Sequence, residues 1–248
     1  MTSPTENSAN FNFKTLHFGW FVGHAVIVLN SLLFYLTCAL FHPISFFYRF
    51  AYLSAIVTYG IVLYNSYKPF SQGIPFKRMI LDENTQYAII AVYFLISKRK
   101  MVTLLPFLVY SVFHVSDHLE SQLIPALMPH QTQLKSKLKD IRAKYYERAM
   151  VLTSQYEVCG ILLPFVLGLF VFRTSMTCLL VYVHFLRMRY YMSEYTRDYI
   201  NNLYFKVDQL LTPPTAHPKI PPAVIKAYST VKEACTASGH MPVGQKGQ

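Results

Sequence analysis

The stretch that decides the fold runs from Phe18 to Phe41 and reads FGWFVGHAVIVLNSLLFYLTCALF. None of its 24 residues is Asp, Glu, Lys or Arg. An α-helix rises about 1.5 Å per residue, so about 20 apolar residues cross the roughly 30 Å hydrocarbon core of a bilayer. The run is too long for a signal-peptide core, and it lacks the basic start and small-residue cleavage site of one. It therefore predicts a retained membrane-spanning helix.

The composition extends this prediction to the whole chain. Its 248 residues are 53% hydrophobic and only 14% charged, whereas soluble proteins carry about 25% charged residues. The net charge of +11 fits the excess of Lys and Arg in the cytoplasmic loops of membrane proteins. No nucleic-acid-binding motif accompanies the charge, so we expect no nucleic-acid partner. The sequence predicts an all-α, polytopic integral membrane protein.

The apolar runs come in three pairs. A second run, from Phe50 to Tyr67, follows the first after a short break, and the two predict a tight antiparallel hairpin. Two further pairs are shorter: 87–96 with 101–115, and 158–172 with 176–186. Runs of about 10–14 apolar residues suit re-entrant or interfacial elements. Ordinary spans flanked by snorkelling Lys, Arg and Tyr fit the same pattern, so both interpretations stay open.

The distribution of basic residues predicts the topology. If both termini are cytosolic and all three pairs form hairpins, only five of the 23 basic residues lie on the lumenal side. These five are Arg49, Lys98, Arg99, Lys100 and Arg173. The bias agrees with the positive-inside rule, although three adjacent cations at one lumenal tip are unusual.

Three later segments have amphipathic patterns. In 130–157 apolar residues recur at spacings of three and four, and a basic face fills most of the remaining positions. The basic face consists of Lys135, Lys137, Lys139, Arg142, Lys144 and Arg148. The segments 197–211 and 223–235 carry apolar stripes, and the second stripe includes Val224, Tyr228 and Val231. Such helices either lie in the headgroup region, attracted by anionic lipid, or pack their stripes on the protein's own spans.

These features divide the chain into eight parts. Two tails, predicted to be disordered, flank three hairpins, a cytosolic linker, a basic cytosolic helix and a C-terminal amphipathic region. In chain order the parts are 1–15, 16–69, 70–86, 87–118, 119–157, 158–190, 191–235 and 236–248.

Patterns that would indicate catalysis or metal binding are weak. His114 and His118 share a helix face at a spacing that supplies two metal ligands, but the other histidines are scattered singly along the sequence. The four cysteines show no CxxC spacing, and no phosphate-binding glycine loop or nucleophile with a base is present. We therefore expect no enzymatic activity, cofactor or metal.

One acidic residue stands at the mouth of the third pair. Glu157 is expected to cap the helix, to pair with Arg187 or Arg189 across the hairpin, or to face solvent at the interface. The alternative to a non-enzymatic protein is a lipid-modifying enzyme or small transporter. That alternative would use His114, Asp117, His118 and Glu157 at the membrane face.

Several stretches resemble a known family. They are Leu105-Pro106-Phe107 through His114, Tyr156-Glu157 leading to Leu163-Pro164, and Tyr182 to Tyr190 (YVHFLRMRY) followed by Tyr195-Thr196-Arg197. An aromatic-rich span that ends in Phe-Leu-x-x-Arg-Tyr-like spacing, followed by an amphipathic segment, resembles the transmembrane protein 33 family, also called Krüppel homologue 2. Its fungal members include a pore-membrane nucleoporin and tetra-spanning proteins of the endoplasmic reticulum.

The resemblance implies an integral protein of the endoplasmic reticulum and nuclear envelope without enzymatic activity. It also implies roles in membrane organisation and nuclear pore distribution, with reticulon-type proteins and nuclear pore components as partners, and it is compatible with an oligomer. Short hairpins and amphipathic helices act as wedges in one leaflet, which independently favours a protein that shapes or senses curvature and scaffolds partners. We expect the basic face and the stripe of Val224, Tyr228 and Val231 to meet anionic lipid headgroups. The expected interfacial anchors are Arg187, Arg189, Tyr190 and Tyr191.

Overall fold

The computed structural model describes residues 15–69, 73, 76–128, 130–212 and 221–237, with side chains in the last segment described up to residue 230. The described residues are helical and contain no strand, which confirms the all-α prediction. The helices are α1 (Leu16–Ala39), α2 (Ser45–Tyr67), α3 (Phe76–Ile80), α4 (Glu83–Ile96), α5 (Leu104–His118), α6 (Ile124–Leu127), α7 (Thr132–Gln155), α8 (Leu162–Phe170), α9 (Met176–Met192), α10 (Glu194–Leu211) and α11 (Pro222–Ala237). The two tails predicted to be disordered lie almost entirely outside the described residues.

Side-chain caps fix where three of the membrane helices begin. The Thr15 hydroxyl accepts a hydrogen bond from the Phe18 N–H at the start of α1. The Asp82 carboxylate accepts one from the Asn84 N–H at the start of α4, and the Ser175 hydroxyl accepts one from the Cys178 N–H at the start of α9. Each cap satisfies a backbone donor that has no partner within its own helix.

Six helices run alternately up and down, so that the three hairpin loops meet at one end of the bundle. These loops are 40–44 between α1 and α2, 97–100 between α4 and α5, and 171–175 between α8 and α9. We call this the tip end. The opposite, base end holds the start of α1, the end of α2, the start of α4 and the end of α5.

The basic residues of the second loop hold the three tips together. Arg99 donates to the Pro43 carbonyl at 2.9 Å and to the Ser45 hydroxyl at 2.6 Å. Lys100 donates from Nζ to the Arg173 carbonyl at 2.6 Å and to Thr174 Oγ1 at 3.1 Å. The basic cluster that looked out of place in the sequence therefore binds backbone oxygens of both neighbouring hairpins.

The helices differ in length. Within the described residues, four are long and apolar enough to cross a membrane: Leu16–Ala39, Ser45–Tyr67, Met101–Leu127 and Thr132–Phe170. The 14 residues of α4 and the 17 of α9 measure only about 21 and 25 Å, less than the roughly 30 Å of a bilayer core. A polytopic helical membrane protein is therefore confirmed, with one long hairpin and two hairpins that each contain a short helix.

One continuous helix joins the predicted basic segment to the third hairpin. The sequence placed a boundary after residue 157, but α7 passes into α8 through a wide π turn at Tyr156–Ile161. A second π turn, Leu119–Leu123, links α5 to α6. Each turn holds the residue four positions before a proline, Ser121 before Pro125 and Gly160 before Pro164. A proline ring clashes with that carbonyl in a regular helix, and the wider turn accommodates it without breaking the helix.

The segment beyond residue 197 forms a separate compact unit. It contains most of α10 and all of α11. The Tyr228 hydroxyl of α11 donates to the Asp208 carboxylate of α10 at 3.1 Å. The two helices of this unit are therefore linked by a polar contact.

The first hairpin depends on a close approach at Gly23. A Cβ atom added there would lie 2.3 Å from the Thr58 Cγ2 methyl, far inside van der Waals contact. Thr58 has no room to move, because it is fully buried and its hydroxyl donates to the Ser54 and Ala55 carbonyls. By contrast, a Cβ atom added at Gly60 meets nothing within 4 Å.

We predict that Gly23→Ala destabilises the purified protein in detergent by about 1–3 kcal/mol, the usual cost of overpacking. Gly60→Ala is the matched control, and it should leave the melting temperature unchanged or raise it, because alanine is the better helix former. The measurement is the melting temperature of each variant. Equal melting temperatures for the two variants would contradict the close packing of α1 on α2.

Candidate functional site

The most unusual group in the bundle is the guanidinium of Arg189, whose side chain is only 2% exposed. Its Nε lies 3.2 Å from Glu157 Oε2, and the Glu157 side chain is 1% exposed. A second ion pair joins it to Glu83, and its third nitrogen donates to the Tyr110 hydroxyl at 3.1 Å. Each of the three guanidinium nitrogens of Arg189 thus has a partner, as a buried charge requires.

Tyrosines complete this arginine cluster, which we define as Arg189, Glu157, Glu83, Tyr87 and Tyr110. The Tyr87 hydroxyl donates to Glu157 Oε1 at 2.7 Å, and the Arg189 guanidinium lies over the Tyr87 ring at 5.2 Å from its centre. Such a cation–π contact is strongest where water is excluded. The cluster draws together α4, α5, the π turn before α8, and α9, so it joins the second hairpin to the third.

The arginine cluster lies toward the base end of the bundle. Glu83, Glu157 and Arg189 each stand 13 residues from the tip-end terminus of their helical segments. This separation corresponds to about 20 Å of helix. Ionisable residues in membrane helices usually face the bundle interior and pair with one another, as they do here.

This placement of Arg189 differs from our sequence interpretation. We had grouped it with the interfacial anchors, whereas the structure buries it against Glu157, one of the pairings left open for that carboxylate. The other members of the group are more accessible: Arg187 and Tyr191 are exposed, and Tyr190 is half-buried. Helix periodicity explains the difference, because residues two apart point to opposite sides of α9.

The basic face of α7 lies largely in the open. Lys135, Lys137, Lys139, Lys144 and Arg148 are exposed. Arg142 differs, because it is half-buried and pairs with Asp117 and, at 2.5 Å, with Glu120. Together with the contact of Phe113 on Tyr146, with ring centres 5.3 Å apart, these pairs set α7 antiparallel to α5. This stretch of α7 therefore packs along the bundle.

The C-terminal stripe is partly described. Val224 is exposed, whereas Tyr228 is half-buried and binds Asp208. Burial, and after it the hydrogen bond and charge of Asp208, raise the pKa of Tyr228 above its ordinary value. The side chain of Val231 lies outside the described ones.

Four histidines that looked scattered in the sequence meet around Trp20. The Trp20 ring contacts His17, His24, His114 and His118, with ring centres between 4.7 and 6.4 Å apart. The spacing of seven residues between His17 and His24 places both on one face of α1. From this spacing, the sequence could have predicted that this face packs against the His114 and His118 pair on α5. In the described residues no group of three or more His, Cys, Asp or Glu is arranged to hold a metal ion.

The residues of the alternative enzymatic interpretation are not assembled as a catalytic group. Asp117 is paired with Arg142, and Glu157 with Arg189. Neither carboxylate is hydrogen-bonded to a histidine in the contacts that the structure describes. A general base needs a partner that orients it toward a substrate, and these acids are held by arginines instead.

Comparison with known proteins gives a consistent result. Residues 3–238 match the family model described as Transmembrane protein 33/Nucleoporin POM33. The chain is 32% identical to Tetra-spanning protein 1 of Schizosaccharomyces pombe, over 93% of this chain and 87% of that protein. It is 28% identical to the Pore membrane protein of 33 kDa of Saccharomyces cerevisiae, over 88% and 82% of the two chains. It is 31% identical to Nucleoporin POM33 of Chaetomium thermophilum, over 82% and 81%. No solved structure matches the chain.

We predict that Arg189→Met lowers the stability of the detergent-solubilised protein by about 3–5 kcal/mol, because it leaves buried Glu157 without its counter-charge. Arg187→Met is the matched control, since this arginine is exposed two residues away, and it should change stability little. Adding Glu157→Gln to Arg189→Met should recover part of the loss by removing the unpaired charge. The readout is the melting temperature, measured as the fraction of protein that still elutes as a folded peak in size-exclusion chromatography after heating. Equal stability of the Arg189→Met and Arg187→Met variants would contradict the stabilising role of the arginine cluster.

Proposed function

The chain belongs to the Transmembrane protein 33/Nucleoporin POM33 family, and from that membership we propose that it is a non-enzymatic protein that shapes or senses membrane curvature and scaffolds nuclear pore components. It is a multi-pass protein of the endoplasmic reticulum membrane and nuclear envelope, as its four candidate spans and the names of its relatives indicate. The observation that carries the proposal is that the chain combines an amphipathic C-terminal unit with an exposed basic face on α7.

Electrostatics supports contact with anionic lipid. The five exposed cations of α7 lie on the helix that packs along the base-end half of α5. A cation near an anionic cytoplasmic leaflet contributes about 1 kcal/mol of attraction. Since the positive-inside rule assigns most basic residues to the cytosol, we propose that the base end faces the cytosol and the tip end the lumen.

The C-terminal unit supplies the proposed wedge. Ile200, Leu203, Val207 and Leu210 form a stripe on α10, and Val224 is exposed on α11. An amphipathic helix that inserts its apolar face at the headgroup boundary widens one leaflet only, which favours or detects curvature. The short helices α4 and α9 add a second source of asymmetry between the leaflets.

The names of the relatives support the partner part of the proposal. Two of them are called a pore membrane protein and a nucleoporin. We therefore propose nuclear pore components as partners, and reticulon-type membrane-shaping proteins as further ones. An enzymatic role receives less support, because the carboxylates it would need are held by arginines.

We predict that the combined substitutions Val224→Glu and Val231→Glu abolish the preference of the full chain for small vesicles. The added carboxylates would oppose insertion of the α11 stripe into the headgroup region. The measurement is the protein density on reconstituted vesicles of small and large diameter that contain phosphatidylserine.

The matched control is Ser229→Glu with Thr230→Glu, which adds the same charge on the opposite side of α11. This control should keep the preference for small vesicles. An unchanged preference in the Val224→Glu, Val231→Glu variant, or an equal loss in the control, would reject the wedge function of α11.

A further inference from the structure

A polar cavity of about 450 Å³ opens between α1, α2, α4 and α5. A volume of this order lies within the usual range for small-molecule sites. Its polar and aromatic lining consists of His17, Trp20, His24, Tyr59, Asn65, Ser66, Asn84 and His114, and Ile61 and Val62 add an apolar edge. Neither the membrane anchoring nor the proposed wedge uses these residues.

The cavity lies at the depth of lipid headgroups. His17 is in the first turn of α1 and Asn84 in the first turn of α4, while Asn65 and Ser66 are in the last turn of α2. All of these helix termini belong to the base end. Since α1 and α2 are long enough to cross the bilayer, their ends mark the boundary between hydrocarbon and headgroups.

The part of the cavity on α1 and α5 is lined by imidazole and indole rings. The His24 ring lies 4.7 Å from the Trp20 ring and 4.6 Å from the His114 ring, measured between centres. His24 Nδ1 lies 3.0 Å from the Ser111 hydroxyl, which fixes the orientation of this buried ring behind Trp20 and His114. Imidazole, indole and amide N–H groups are suitable partners for phosphate oxygens.

A neighbouring cavity of about 350 Å³ has the opposite character. It shares Tyr59, Asn84 and His114 with the first and adds the carboxylates of Glu83 and Glu194. The arginine in this cavity, Arg189, has its charge matched by Glu157 and Glu83, so the acidic character prevails. Glu83 keeps 47% of its side chain exposed despite that pairing, which leaves carboxylate surface for a second cation.

An exposed tyrosine adds a surface for cation binding to the acidic side. The Tyr146 ring lines the second cavity and is 46% exposed. Aromatic faces attract ammonium groups, quaternary ones included. Adjacent cavities that favour phosphate on one side and ammonium on the other match a zwitterionic ligand.

We propose that the two cavities together bind the headgroup of a zwitterionic phospholipid, phosphocholine or phosphoethanolamine. The phosphate lies against Trp20 and His114, and the ammonium group lies against Glu83 and the Tyr146 ring. The acyl chains leave along the apolar edge at Ile61 and Val62. Phospholipids with a net negative headgroup are disfavoured, because their polar end would meet Glu83 and Glu194.

The single tryptophan of the chain provides the readout, because Trp20 lines the cavity. The full chain in detergent is titrated with short-chain phosphatidylcholine, phosphatidylethanolamine and phosphatidylglycerol, and with free phosphocholine. We expect saturable changes in Trp20 emission with the two zwitterionic lipids, and at least tenfold weaker binding of phosphatidylglycerol. Free phosphocholine should also bind at least tenfold more weakly, since it lacks acyl chains.

Two variants test the assigned groups against matched controls. His114→Leu should weaken zwitterionic lipid binding about tenfold, the loss of one hydrogen bond to a charged group, and exposed His184→Leu should not. Glu83→Gln should reduce the discrimination against phosphatidylglycerol, and exposed Glu147→Gln should preserve it. If His114→Leu fails to fold, Asn65→Leu replaces it, because this exposed residue lines the cavity and leucine removes its amide N–H groups at nearly the same shape.

Several results would overturn the proposal. They are an emission change that does not saturate, equal affinity for phosphatidylglycerol, and binding that survives both His114→Leu and Asn65→Leu. Equal affinity for free phosphocholine and for the lipid would assign the site to a soluble phosphate ester and reject the lipid. None of these results depends on the α11 wedge, so failure here and failure of the proposed function can be told apart.

Discussion

The pairing of buried Arg189 with Glu157 and Glu83 is the constraint on which the bundle depends. The three charges come from α9, from the π turn before α8 and from α4, so they join two hairpins that each contain one helix shorter than a bilayer core. Lipid tails supply no hydrophobic force between helices, which leaves packing and polar contacts to hold them together. Removing one partner would leave a buried charge without compensation inside the bundle.

The two ends of the bundle have different chemistry because of this arrangement. At the tip end, Arg99 and Lys100 bind carbonyl groups of the other hairpins, and Phe41 and Phe172 project from loops with 95% and 96% of their surface exposed. Exposed phenylalanine beside paired cations suits the interfacial belt of a membrane. The base end instead holds exposed basic residues and polar cavities. A protein whose two ends differ in this way can respond differently to the two leaflets of one bilayer.

Much of this architecture can be predicted from the sequence. The uncharged run 18–41 indicates the first span, the three pairs of apolar runs indicate six alternating helices, and the basic residues indicate which ends share a side. Contacts across the bundle could not be predicted, because the pattern gives the spacing of residues along one helix but not the register between helices. The basic and aromatic residues at the end of the third pair were therefore all assigned to the interface, Arg189 with Arg187, and His17 and His24 were treated as isolated. The continuous helix across residue 157 could not be predicted from the pattern, because it depends on a π turn that accommodates Pro164 without ending the helix.

The central claim is that the three hairpin tips lie together on the lumenal side and the basic residues of α7 on the cytosolic side. Its most direct test is the labelling of single cysteines at positions 97, 136 and 175 in sealed endoplasmic reticulum vesicles. The native cysteines are replaced, and Ser97→Cys, Ser136→Cys and Ser175→Cys are compared with a membrane-impermeant maleimide. Because Lys100 binds the Arg173 carbonyl at 2.6 Å, positions 97 and 175 must lie on the same side. The account predicts that position 136 reacts in intact vesicles, whereas positions 97 and 175 react only after permeabilisation. Different protection of positions 97 and 175, or lumenal protection of position 136, would contradict it.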